Sequence, residues 1–267
     1  MSDLLVRKHA PDAAGIVIDI TPASAHWGYV GFRVQQLAAG QSAEGGEAGR
    51  EVCLVILSGR ADVAAGDAVM TKVGGRSSVF EDQAPGAVYA PAGVKWTVTA
   101  TTPVELAVCS APSGGKLPPR RIQPEEMSRE VRGVGTNTRY VRSILPETAP
   151  ADSLLVVEAL TPGGHWSSYP PHKHDTATLG EETALEETYY HRLNPPQGFA
   201  FQRVYTDDRS LDQTMAVENG DVVLVPRGYH PVGAPHGYDL YYLNVMAGPK
   251  RQWIFRNDPA HDWIVRR

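Results

Sequence analysis

Short apolar runs broken by turn residues dominate the chain. In the first half these runs are GIVIDI, YVGFRVQQL, VCLVILSG, RADVAAG, GAVYAPAG, KWTVTAT and VELAVCSA. The second half repeats the style with SLLVVEALT, EETYYHRL, FAFQRVYT, QTMAVENG, DVVLVPRG, YDLYYLNVMAG and QWIFRN. Apolar or alternating segments of this length, punctuated by Gly, Pro, Asp and Ser, predict the strands of an all-β sandwich or barrel. No long segment carries the period of an amphipathic helix.

The run of strands is interrupted once, by SAPSGGKLPPRRIQPEEM at residues 110–127, where Gly, Pro and charges cluster and PEEM can open a short helix. This predicts two copies of one domain, at residues 1–112 and 141–267, with a crossover over 113–140. A faint internal repeat supports the doubling. Gly86 leads through an apolar strand to the turn Pro91-Ala-Gly93 and then Trp96. Gly220 leads in the same way to Pro226-Arg-Gly228 and then His230. Glu51 opens an apolar strand as Glu187 does. The first copy has Trp96 where the second has His230, and no His-x-His precedes Glu51. The first copy is therefore expected to be a degenerate, structural one without a metal.

Composition narrows the class. The net charge of -5 argues against a nucleic-acid partner, which a basic face would recruit. The only two cysteines, Cys53 and Cys109, sit in strand-like apolar runs and read as buried free thiols. The N-terminal MSDLLVRKHAPD has neither the apolar stretch nor the cleavage site of a signal peptide. No apolar run approaches the roughly 20 residues that span a bilayer. The expectation is a cytoplasmic protein with no membrane partner. An exposed sheet edge could pair subunits into a homo-oligomer.

The chemistry concentrates in SSYPPHKHDTATLGEETALEETYYHRL. His172 and His174 are two residues apart, so on an extended strand both imidazoles face one cavity. Glu187 begins the next strong strand, and His230 can arrive from a third. Three imidazoles and a carboxylate suit one divalent ion, zinc first, with Mn, Fe, Ni and Co also compatible. The same strand face that carries Glu187 carries Tyr189 and His191. Glu181, Glu182 and Glu186 are alternative carboxylates.

These residues resemble the cupin superfamily, whose first motif has His-x-His followed by Glu and whose second has Gly, a spacer, Pro-x-Gly and then His. Here the gap from His174 to Glu187 is longer than in that pattern, and the gap from Gly228 to His230 is one residue shorter. The resemblance implies two jelly-roll (double-stranded β-helix) barrels in one chain. The strings YPPHKHD, LEETYYHRLNPPQGFAFQRVY, GDVVLVPRGYHPV and YYLNVMAGP are similar to the 5-deoxyglucuronate isomerase family of bacterial myo-inositol catabolism. The likeness covers almost the whole chain. The related uronate ketol-isomerases of pectin breakdown share the His-x-His, Glu and His set. The resemblance implies a metal-dependent aldose–ketose isomerase, an intramolecular oxidoreductase converting 5-deoxy-D-glucuronate to 5-dehydro-2-deoxy-D-gluconate.

Such a reaction moves a proton between adjacent carbons through an enediolate, which needs both a proton shuttle and oxyanion stabilisation. His191, Tyr189 and Tyr229 are the catalytic candidates by position. His236, in a Pro-His-Gly loop, reads as exposed. The substrate is a small sugar acid, so a cation should hold its carboxylate. Arg203 is first choice, since a guanidinium matches a carboxylate through two parallel hydrogen bonds. Lys173 ranks lower because it alternates away from the two histidines. Arg139 and Arg192 are further cations, and Tyr242 is a further substrate contact. The same ligand set could also serve an iron dioxygenase, a non-catalytic sugar-binding cupin, or a storage bicupin with a relic site.

Overall fold

The computed structural model describes residues 2–266. The chain divides into two compact units. One comprises residues 8–128 and 143–156, the other residues 1–7, 129–142 and 157–267. This division differs from the expected boundaries at 112/113 and 140/141, and two long-range pairings accompany it. Leu5 and Val6 pair with Val223 and Val222, which draws the N-terminus to the unit of the second copy. The backbone N–H groups of Asp152, Ser153 and Leu154 all donate to the Glu51 carboxylate, which draws 143–156 to the unit of the first. Most of the expected crossover is structured. Arg120–Ile122 pairs with Gly86–Ala90, and PEE of the PEEM segment forms one 3-10 turn at Pro124–Glu126.

In the unit of the first copy, a six-stranded sheet faces a four-stranded one. The six run in the order Arg120–Ile122, Gly86–Ala90, Arg50–Ser58, Val104–Pro112, Gly31–Leu37, Ile16–Ile20. The four run Ser42–Gly45, Trp96–Ala100, Arg60–Ala65, Ala68–Gly74. The core between them follows from alternation: Val52, Leu54 and Ile56 from one sheet meet Val63, Val73 and Val98 from the other. Trp96 is buried in this cluster, so the first barrel is filled with apolar side chains where the second repeat has His230.

In the other unit, the strand Glu186–Asn194 lies between Val222–Val225 and Asp239–Ala247. A four-stranded sheet runs Trp166–Ser167, Val232–Gly233, Phe199–Tyr205, Asp212–Glu218. His172–Lys173 forms a short pair with Arg256–Asn257, the only strand that the QWIFRN run yields. Among the described residues no helix is long and apolar enough to cross a membrane. The single α-helix among the described residues, Pro22–Ala25, is one turn capped by Thr21.

Candidate metal centre and adjoining cavity

The strand Glu186–Asn194 carries Glu187, Tyr189 and His191 on one face, as period-two alternation requires. Opposite them in register stand Met246, Asn244 and Tyr242. His230 follows a turn that only glycine fits: Gly228 has φ +90, and a Cβ there would lie 2.4 Å from the Tyr205 carbonyl oxygen. The tight approach is fixed by paired backbone hydrogen bonds between Tyr205 and Tyr229, of 2.9 and 2.7 Å.

Glu187, His174 and His230 converge, with one ligand atom from each within 4.8 Å of the others, all buried. Glu187 Oε2 lies 3.0 Å from His174 Nε2 and 3.3 Å from His230 Nε2. The tautomers follow from the opposite edges of the rings. His230 Nδ1 faces the Gly228 carbonyl at 2.9 Å and His174 Nδ1 the Leu185 carbonyl at 3.3 Å. A carbonyl only accepts, so each Nδ1 carries a hydrogen; Nε2 of His230 then turns a lone pair to the cluster, while Nε2 of His174 shares a proton with Glu187 Oε2 at 3.0 Å.

Burial pushes His230 down to about 4 against the pull of Glu187, so it is neutral at pH 7, and its buried Nε2 has no hydrogen-bond partner. The 3.3 Å approach to Glu187 is therefore not an ion pair of a charged histidine. Burial also lowers His174, but the Glu187 hydrogen bond and charge outweigh it and leave His174 above its ordinary value. Two imidazole lone pairs and a carboxylate in one dry site repel one another unless a proton or cation lies among them. This donor set fits a divalent ion.

His172 stands beside this trio rather than within it. Its ring meets Phe255 at 4.5 Å and the edge of His230 at 4.9 Å between centroids, and is 6.4 Å from that of His174. Burial, then the neighbouring His230 and His174, hold it well below its usual range.

A small cavity adjoins the trio, lined by Arg132, Arg139, His172, Tyr189, Tyr242 and Trp253 among others. The Tyr189 ring packs 5.6 Å from that of His230. Its hydroxyl bonds Ser168 Oγ at 2.8 Å, while that of Tyr242 bonds Ser167 Oγ at 2.5 Å. Burial lifts both phenols, Tyr189 well above its ordinary range with the Glu187 charge adding to it, so both keep their protons. His191 does not line the cavity. It is fully buried, stacked on Tyr189 at 5.9 Å, and donates from Nε2 to Gln202 Oε1 at 2.8 Å.

Three expected site residues lie elsewhere. Arg203 points outward from its strand, bidentate to Asp212 at 2.7 and 2.6 Å and stacked over Tyr205. Tyr229 alternates away from His230 and donates to Asp207 at 2.8 Å. Lys173 likewise faces away from the histidines, neutralised by Asp175 at 2.7 Å, Asp207 at 3.5 Å and Glu182 at 3.6 Å. Glu182 is thereby spoken for, and Glu186 faces opposite to Glu187, which leaves Glu187 as the carboxylate of the cluster. Ser167, Ser168 and Trp253 line the site or support its tyrosines with no signal in the sequence. They become visible only when the chain is folded.

The model of the KduI/IolB family matches residues 4–264. A 5-deoxy-glucuronate isomerase of Geobacillus kaustophilus (strain HTA426) is 55% identical over 265 residues, spanning 99% of this chain and 96% of the relative. The crystal structure of an IolB-like protein from Salmonella typhimurium LT2 is similar with a TM-score of 0.96 at 54% identity, covering 98% of this chain and 99% of that one. The oxalate decarboxylase of Lactobacillus farciminis, in a formate complex, gives a TM-score of 0.68 at 13% identity over 96% of this chain and 89% of its own. That distant likeness shows the shared fold, two cupin barrels in one chain.

Proposed function

The chain belongs to the KduI/IolB family, and from that premise we propose that it is an aldose–ketose isomerase converting 5-deoxy-D-glucuronate to 5-dehydro-2-deoxy-D-gluconate. The observation that carries the reading is the convergence of His174, Glu187 and His230 beside a cavity walled by two protonated tyrosines. His174, Glu187 and His230 would hold one divalent ion, with His172 the nearest further imidazole to complete the set. Zinc is proposed first, since imidazole and carboxylate suit it. A bound ion supplies Lewis-acid polarisation of a carbonyl and its neighbouring hydroxyl.

The chain's own groups serve the proton that moves between oxygens. Aldose–ketose isomerisation moves one proton between carbons and one between the adjacent oxygens. The phenol–serine pairs Tyr189–Ser168 and Tyr242–Ser167 present O–H groups that donate and accept, which suits the transfer between oxygens. Their raised phenols stay protonated and donate to an oxygen on which charge develops. His191, stacked behind Tyr189 and anchored on Gln202, positions that ring. We place the reaction in the cytoplasm, within myo-inositol breakdown.

The test is proton NMR of 5-deoxy-D-glucuronate incubated with metal-replete protein under strictly anaerobic conditions. Loss of the aldose anomeric signals with growth of the ketose product is expected. Turnover that requires oxygen would instead identify a cupin dioxygenase, and no turnover at all would overturn the reading.

A further inference from the structure

The cavity beside the metal centre contains two arginines in different electrostatic company. Arg132 is paired with Glu130 at 2.9 Å and stacked over Trp253. Arg139 is half-buried, and no carboxylate among the described residues pairs with it. Its Nη1 donates to the main-chain carbonyls of Asn137 at 3.1 Å and Tyr169 at 3.2 Å. Those bonds fix the guanidinium plane and leave Nε and Nη2 without partners among the described residues. That is the edge through which arginine grips a carboxylate by two parallel hydrogen bonds. A cation taken partly out of water without a counter-ion is unfavourable, and a bound anion would relieve that penalty. Burial lowers the guanidinium from its usual range, in line with that missing partner.

We propose that Arg139 is the anion subsite of this pocket, holding the substrate's carboxylate through Nε and Nη2 while the reacting carbons lie toward Tyr189 and His172. The inference rests on the sugar-acid reading above and deepens it, since it assigns specificity for an acid over a neutral sugar to one side chain. The outward position of Arg203, already saturated by Asp212, leaves that role open. The same cavity holds His172, Tyr189 and Tyr242, so an anchored acid is presented to the groups that would act on its other end. The grip is uniform for substrate and transition state, because the carboxylate takes no part in the chemistry. Its loss should therefore appear chiefly in KM.

The test compares wild type with Arg139→Met and Arg139→Lys in metal-replete protein. For 5-deoxy-D-glucuronate, Arg139→Met is expected to raise KM by roughly 30- to 100-fold with kcat changed far less, and Arg139→Lys to recover part of that loss. Metal content and thermal midpoint should remain those of wild type. A KM within about twofold of wild type in Arg139→Met would overturn the proposal. So would equal losses in both variants accompanied by falling metal content, which would mark a structural role for the bonds to Asn137 and Tyr169. Calorimetric titration with D-glucuronate reads the anchor without turnover: heat of binding in wild type that is absent in Arg139→Met supports it, and equal heat in the two overturns it. Binding without isomerisation would reject the assigned reaction and leave the anion subsite standing.

Discussion

The Nδ1–H of His230 is donated to the carbonyl of Gly228 at 2.9 Å, which leaves Nε2 of that ring as a buried lone pair beside Glu187. The bond joins backbone geometry to coordination chemistry. His230→Ala or His174→Ala is expected to lower bound metal below a tenth of an equivalent after dialysis, with loss of activity to match. His172→Ala should weaken metal affinity by about 10- to 100-fold. Gly228→Ala removes no ligand, yet it meets both the positive φ and the Tyr205 oxygen. It is expected to destabilise the fold by roughly 1–3 kcal/mol and to weaken metal retention, read by calorimetry and elemental analysis.

The two tyrosines should differ from Arg203 in kinetic consequence. Tyr189→Phe and Tyr242→Phe keep the ring and lose the proton-bearing oxygen, and each is expected to lower kcat by about 100-fold or more. Arg203→Ala opens an exposed pair with Asp212 outside the cavity's lining, so kcat/KM should stay within about twofold and stability within roughly 1 kcal/mol. Steady-state kinetics of the three variants checks this ordering.

His191 gives the protein a pH signature. Burial pushes it down to about 4 from an ordinary value of 6.5, so the folded state holds it neutral. Its contribution is complete above pH 6.5 and is lost as pH falls from 6.5 toward 4, because the unfolded chain gains a proton that the folded one refuses. The total is of the order of 3 kcal/mol. Denaturant titrations across this range should show a shallower loss in His191→Gln than in wild type. Parallel slopes would contradict the assignment.

Glu51 occupies in the first repeat the position that Glu187 occupies in the second, with a different duty. Its carboxylate accepts the Tyr89 hydroxyl at 2.6 Å and the N–H groups of Asp152, Ser153 and Leu154 at 2.8, 2.6 and 2.7 Å. Glu51→Ala removes the acceptor of all four donors, three of them on buried or half-buried residues, and is expected to cost about 3 kcal/mol or more. Metal content at the other unit should be unchanged while protein remains folded. Differential scanning calorimetry with metal analysis separates the two effects.

Much of this was legible in the sequence. The punctuated apolar runs marked most of the long strands but not Ala68–Gly74 or Arg139–Leu145, and the Pro-x-Gly turn before His230 marked one edge of the candidate site. Arg203 points away from the cavity, on a strand that inverts the usual pattern: Phe199 and Phe201 face outward while Ala200 and Gln202 are buried. A reading by hydrophobicity cannot locate the inner face of such a strand. Arg139 stood among the further cations, but it opens the strand Arg139–Leu145 at the end of the stretch assigned to a crossover, where nothing local ranked it above Arg203. The boundary between the units was hidden for another reason. It depends on long-range bonds such as Glu51 to Leu154, which leave no local trace.

On the proposed function, the His174–Glu187–His230 cluster binds the ion on which isomerisation depends. The most direct measurement is turnover of 5-deoxy-D-glucuronate by protein stripped with chelator, then reconstituted with one equivalent of zinc, alongside Glu187→Gln treated identically. Activity is expected to vanish on stripping, to return with one equivalent of metal in wild type, and to stay absent in Glu187→Gln, which should also fail to retain the ion. Full turnover by stripped protein, or a Glu187→Gln variant that isomerises the substrate as wild type does, would contradict it.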